Sequence, residues 1–96
     1  MNLTLRQLRA FDAVAETGSF TAAAARLHLT QSALSVLVRE LEREMGVQLF
    51  DRHTRRVLLS EAGRAFQPWV QRLLADLAGA VAGVTELRDQ KRGLLR

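Results

Sequence analysis

The sequence predicts a mainly α-helical fold, and three features predict it. Gly18-Ser19-Phe20-Thr21, followed by alanines up to Arg26-Leu27, reads as a short helix behind a small polar cap. Residues 31–45 then place Leu34, Leu37, Val38, Leu41 and Met45 at the spacing of one helical face. Residues 60–90 sustain a similar pattern over a much longer span. A short helix, a tight turn and a second amphipathic helix opened by small polar residues form a helix-turn-helix, the arrangement that presents its second helix to a DNA major groove.

The elements follow in order. A first helix is predicted from about Leu5 to Glu16, with Thr4 suited to cap its start and Gly18 to stop it. Leu5, Leu8, Phe11 and Ala15 supply its buried stripe. The second helix begins after the cap Ser19 and ends near Leu27, and its alanines let another helix approach closely. His28 falls at the bend, where histidine tolerates a left-handed conformation better than most residues. The third helix begins after Thr30 and stops at Gly46, with Ser32, Val36, Arg39 and Arg43 opposite its apolar face. Residues 47–52 and 56–59 predict a small two-stranded hairpin around a basic tip, although no Asn-Gly or Asp-Gly turn marks it.

Helical spacing resumes after Ser60, a good cap, with Glu61 favourable beside the positive helix end. It continues to about Gln90, ~45 Å at the standard rise, and Lys91, Arg92 and Gly93 suit its end. Phe66, Val70, Leu73, Leu77, Ala80, Val84 and Leu87 alternate four and three apart, a coiled-coil seam. Pro68 is expected to kink the first part, and Gly79 and Gly83 to weaken the later part. So long a stripe exceeds what a small head can cover, so a partner helix, most simply from a second copy, is the expected cover. The alternative is a helix packed on its own head and fraying beyond it. The chain thus divides into a head at 1–59, a pairing helix at 60–91 and a tail at 92–96.

Composition narrows the functions. Ninety-six residues, 48% hydrophobic, make one domain or one domain with an extension. No apolar run is long enough to cross a bilayer, and Arg6, Arg9 and Asp12 interrupt the first apolar stretch, which argues against a signal peptide. The absence of cysteine removes disulfides, thiolate zinc ligands and a cysteine nucleophile, and a reducing cytoplasm is the expected location. Net charge is +4, with Lys91 the only lysine, so the positive charge is nearly all guanidinium, which forks onto phosphates and guanine edges. Arg52-His53-Thr54-Arg55-Arg56 concentrates that charge in one segment.

Several separate blocks resemble the N-terminal DNA-binding domain of LysR-type transcriptional regulators. They are Leu5-Arg6-Gln7-Leu8-Arg9-Ala10-Phe11, Gly18-Ser19-Phe20-Thr21-x-Ala23-Ala24, Leu27-His28-Leu29-Thr30-Gln31-Ser32-Ala33-Leu34-Ser35, Leu41-Glu42, Gly46-Val47-Gln48-Leu49-Phe50-Asp51-Arg52 and Leu59-Ser60-Glu61-Ala62-Gly63, in family order over about residues 3–63. The resemblance implies a winged helix-turn-helix of three helices plus a small β-hairpin wing, followed by a long linker helix that pairs two copies. It implies binding to double-stranded DNA at an inverted-repeat site, with higher oligomers left open for a full-length parent. Full-length members carry a larger C-terminal effector domain; this chain reads as a fragment without it, and hence without a small-molecule effector site. Ser32 stands where the family often has proline and Ser60 where it often has threonine. Val36 stands where arginine is common; valine cannot donate to guanine but can contact a thymine methyl, or it is simply a tolerated surface residue.

Within the recognition helix 31–45, Gln31 and Ser35 are the strongest candidates for base edges, with Ser32 at a base or phosphate. Ser19, Thr21 and Thr30 sit at helix starts, where hydroxyls and free amides hold phosphates, and where capping alone would also explain them. Arg39 is a candidate for a backbone phosphate; ion pairs of Arg39 with Glu42 and Arg43 with Glu40 are the competing use. In the wing 52–56, Arg52, Thr54, Arg55 and Arg56 are candidates for phosphates or the minor groove, with His53 a weaker one. Arg52 has a second possible use, pairing with Asp51 or another acid to serve the fold. Phe11, Phe20, Phe50, Phe66 and Trp69 read as core or interface, not as a stacking platform for single strands. No cofactor, metal site or membrane contact is expected. An enzyme is disfavoured because His28 and His53 lack a paired nucleophile and no phosphate loop is present. A pure interaction module, acting through residues 60–90, leaves the basic tip without a use.

Overall fold

The computed structural model describes residues 1–52 and 56–94. Hydroxyl side chains open its helices. Thr4 Oγ1 accepts from the Gln7 amide at 3.2 Å while Gln7 Oε1 accepts from the Thr4 amide at 3.1 Å, a capping box that starts α1 (Leu5–Thr17). Ser19 Oγ accepts from the Ala22 amide at 3.1 Å ahead of α2 (Phe20–Arg26), and Thr30 Oγ1 from the Ala33 amide at 3.0 Å ahead of α3 (Gln31–Met45). Gly18 and Gly46, at φ 68° and 72°, close α1 and α3 in the left-handed region, and His28 turns the chain between α2 and α3 at φ 58°. Strands β1 (Phe50–Asp51) and β2 (Leu58–Leu59) pair antiparallel, Phe50 opposite Leu59 and Asp51 opposite Leu58. The predicted strands are longer than this. Ser60 Oγ then accepts from the Gly63 amide at 3.0 Å and donates to the Gln48 carbonyl at 2.6 Å, which starts α4 (Glu61–Leu94) and ties it to the wing root.

The core lies where α1, α2, α3, the hairpin and the first turns of α4 meet. Phe11, fully buried, is its hub: its ring centroid is 5.4 Å from both Phe50 and Phe66, and Phe20 lies 6.0 Å from Phe50. Leu34, Val38 and Leu41 of α3, Leu49, and Val70 of α4 complete it. The fold is thus a winged helix-turn-helix with a long fourth helix, 60 Å in its longest dimension.

Three expectations change. Leu5 is 41% exposed, not buried. Because α1 is covered from several sides, burial follows Gln7, Ala10, Phe11, Ala13 and Val14, and Leu5 is left on an uncovered side. Phe66 and Val70, assigned to the pairing seam, belong to this chain's own core, Val70 with no exposure at all. The open part of the seam is therefore Leu73, Leu77, Ala80, Val84 and Leu87, beside exposed Trp69 and Val81. Finally, α4 continues to Leu94, so residues 92–94 of the predicted tail are helical, and Pro68 lies inside the helix. Among the described residues no helix is long and apolar enough to cross a membrane.

One half-buried carboxyl works against the fold. Asp12 Oδ1 has no hydrogen-bond partner among the described residues. Burial pushes the Asp12 carboxyl above its ordinary value of 3.8, Glu16 adds to the rise, and Arg26, itself 2.7 Å from Glu16, opposes it. A folded-state value above the unfolded one means that ionisation is costlier in the folded protein. Stability is greatest with Asp12 protonated and falls as pH rises from 3.8 through the folded-state value. Asp12→Asn is therefore expected to melt above the parent near neutral pH, with the difference shrinking toward acid; melting curves across that range check it.

Candidate nucleic-acid interface

The outer face of α3 is built from small polar residues and arginine. Gln31, Ser32, Ser35, Val36 and Arg39 line one shallow depression that holds no acidic side chain. Val36 is 49% exposed there, an apolar point on an otherwise polar surface. Thr21 Oγ1 donates to Gln31 Oε1 at 3.2 Å, so the start of α2 holds the amide at the start of α3 and turns its carbonyl oxygen toward Thr21. The hydroxyls of Ser19 and Thr30 spend a lone pair on capping, and a capping bond does not use the O–H.

The helix presents this face because its acids are drawn elsewhere. Glu42 is buried; its Oε2 accepts from the Leu49 amide at 2.7 Å and the Phe50 amide at 3.4 Å, and its Oε1 from Arg52 Nη2 at 3.0 Å. Glu40 Oε2 accepts from Gln7 Nε2 at 3.4 Å, and Glu44 Oε2 from the Asn2 amide at 3.2 Å. The expected pairs Arg39–Glu42 and Arg43–Glu40 are not formed, because α1 and the wing root compete successfully for the carboxylates. Of the two uses open to Arg52, the structure shows service to the fold: it pairs with Glu42 rather than Asp51, and its guanidinium lies 5.8 Å from the Phe20 ring centroid. Arg52 thereby joins α2, α3 and the wing root, though its side chain stays 41% exposed.

Arg56 is exposed just before β2. His53, Thr54 and Arg55 lie outside the described residues. Sequence reasoning missed the clamp made by Glu42, whose only advance signal was its place beside the apolar face of α3, and it placed Arg43 on the outer face of α3 with an ion pair to Glu40 as its one named use. Among the described residues no three His, Cys, Asp or Glu side chains are grouped to hold a metal.

A helix-turn-helix whose second helix carries an unobstructed polar face, with a hairpin wing beside it, defines a class of DNA-binding heads. The bacterial regulatory helix-turn-helix family of lysR type matches residues 5–64, and this chain belongs to it. It is 45% identical over 95 residues to the HTH-type transcriptional regulator PtxR of Pseudomonas aeruginosa, covering 99% of this chain and 30% of PtxR. Among solved structures, the complex of the BenM DBD with benA site 1 DNA superposes with a TM-score of 0.84 at 37% identity, covering 88% of this chain and 94% of that one. A mutant OxyR of Corynebacterium glutamicum gives 0.85 at 34% identity, covering 90% of this chain and 28% of that one. The chain therefore spans about a third of PtxR and OxyR.

Proposed function

We propose that this chain is the DNA-binding part of a transcriptional regulator and reads double-stranded DNA as a homodimer. The observation that carries this is the acid-free depression on the N-terminal half of the outer face of α3, fixed by Thr21 at one end, on a helix that Glu42 and the wing root anchor at the other. A major groove, ~12 Å wide, accepts such a helix. Gln31 and Ser35, with Ser32, are assigned to base edges and Val36 to a thymine methyl. Ser19, Thr30 and Arg39 are assigned to phosphates, and Thr21 through its first-turn backbone amide while its hydroxyl holds Gln31. Thr54, Arg55 and Arg56 are assigned to the backbone or minor groove beside the wing, and Arg52 mainly to bracing it. The complex of the BenM DBD with DNA, at 37% identity, supports the same use here.

The exposed stripe Leu73, Leu77, Ala80, Val84 and Leu87 supports pairing of α4 with a second copy. Two heads related by a two-fold axis call for an inverted repeat with half-sites one or two helical turns apart, ~34 Å per turn. Cytoplasmic residence and a non-enzymatic role follow from this reading.

Selection from a randomised double-stranded pool at near-physiological salt tests it. An enriched inverted repeat is the expected result. Binding without an enriched motif, vanishing as salt rises, would reduce the interaction to charge alone. Val36→Arg is expected to change the selected base at one position in each half-site from thymine to guanine; an unchanged motif would remove Val36 from the reading face.

A further inference from the structure

The C-terminal half of α3 and the wing root enclose an open cleft of about 350 Å³, lined in part by Arg39, Arg43, Gln48 and Arg52. The one acid in its lining, Glu42, is already satisfied by two amides and Arg52. Three guanidiniums against one carboxylate leave the cleft with a charge of +2 (3 − 1). Arg39 and Arg43 are exposed and pair with no acid among the described residues, whereas Arg26, Arg52 and Arg88 each have one. The neighbouring Glu40 and Glu44 accept hydrogen bonds from Gln7 and Asn2. A helix that carries three acids among its last six residues thus presents two arginines one turn apart with no direct ion pair, although the Glu40 carboxylate borders both.

We infer that this cleft is a phosphodiester clamp, with Arg43 a binding residue alongside Arg39, and Arg52 and Gln48 forming its far wall. The inference rests on the DNA-binding reading above and extends it. With the first turn of α3 on base edges, Arg43 stands ~18 Å along the helix axis from Gln31, farther than the ~12 Å width of the groove. It therefore meets the sugar-phosphate backbone bordering the groove, where planar guanidinium forks suit phosphate oxygens. The clamp adds affinity without sequence preference, because phosphates carry no base information.

The experiment measures binding of the parent, Arg43→Gln, Arg43→Lys and the Arg39→Gln/Arg43→Gln double variant across a salt series, with Arg72→Gln on exposed α4 as control. Each protein is tested on the duplex selected by the parent and on a scrambled duplex of equal length, and its melting temperature is recorded. The salt slope is expected to shrink by about 1.8 for Arg43→Gln, since each dimer loses one contact per head, and by about twice that for the double variant. The loss in affinity should be the same factor on both duplexes, and Arg43→Lys should keep most of the slope. An unchanged slope for Arg43→Gln overturns the clamp. A lowered melting temperature with that unchanged slope would assign Arg43 to the negative C-terminal end of α3 instead. If the parent selects no sequence and Arg43→Gln still lowers the slope, the clamp stands and the sequence-reading proposal fails.

Discussion

Glu42→Ala is expected to destabilise the head by about 3 kcal/mol. The carboxylate is buried at the end of α3 and holds the Leu49 and Phe50 amides together with Arg52. Hydrogen bonds to a charged group contribute about 1.5–3 kcal/mol each, and a buried amide left without a partner costs about 1–3 kcal/mol. The Leu49 bond, at 2.7 Å, dominates; the Phe50 bond, at 3.4 Å, adds less. Arg52 is exposed enough to regain water, so its ion pair counts for little. For a domain of this size the loss corresponds to a melting temperature lower by roughly 12–24 °C. Glu42→Gln keeps an acceptor for the Leu49 amide and should lose less than half as much. Chemical denaturation checks both: a shifted midpoint with an unchanged slope is expected, and a loss below about 1 kcal/mol for alanine would mean that the amides find other partners.

Glu42 also shows where the sequence was legible and where it was not. The caps Thr4, Ser19, Thr30 and Ser60, the stops Gly18 and Gly46, and the bend at His28 were readable because each acts within three or four residues of its position. The apolar face of α3 was readable for the same reason. Glu42 was not, because its choice between Arg39 in its own helix and the amides of the wing root is decided by tertiary packing. Its consequence, the freeing of Arg39 and Arg43, was hidden with it. The root of the hairpin, with two paired residues on each side, is held by Glu42 and Ser60, which act across seven and twelve residues. Along α4 the spacing of Phe66 and Val70 continues into Leu73 and Leu77, yet the first pair packs on Phe11 and its neighbours while the second is exposed. Periodicity reports that a stripe will be covered; it does not report by which chain.

Gly63→Ala should lower stability by about 1–2 kcal/mol, although helix propensity alone predicts a gain of nearly 1 kcal/mol for the same change. Gly63 lies in the first turn of α4, buried where the helix crosses the wing root. A methyl group there would press into the Leu49 carbonyl oxygen and stand 2.8 Å from Leu59 Cδ2. The carbonyl cannot step aside cheaply, because its oxygen accepts from the Ser60 amide at 2.9 Å and its residue is held by Glu42 through the amide. Either α4 moves off the hairpin or the clamp opens, and overpacking of this kind costs about 1–3 kcal/mol before the propensity gain is subtracted. Gly79→Ala is the matched control: it sits in the same helix with nothing within 4 Å, so it should gain about 0.5–1 kcal/mol. Opposite signs for the two substitutions in thermal melts are the expected result. Equal gains would show that the wing root yields to α4, and that the close crossing at Gly63 does not fix the angle at which the long helix leaves the head.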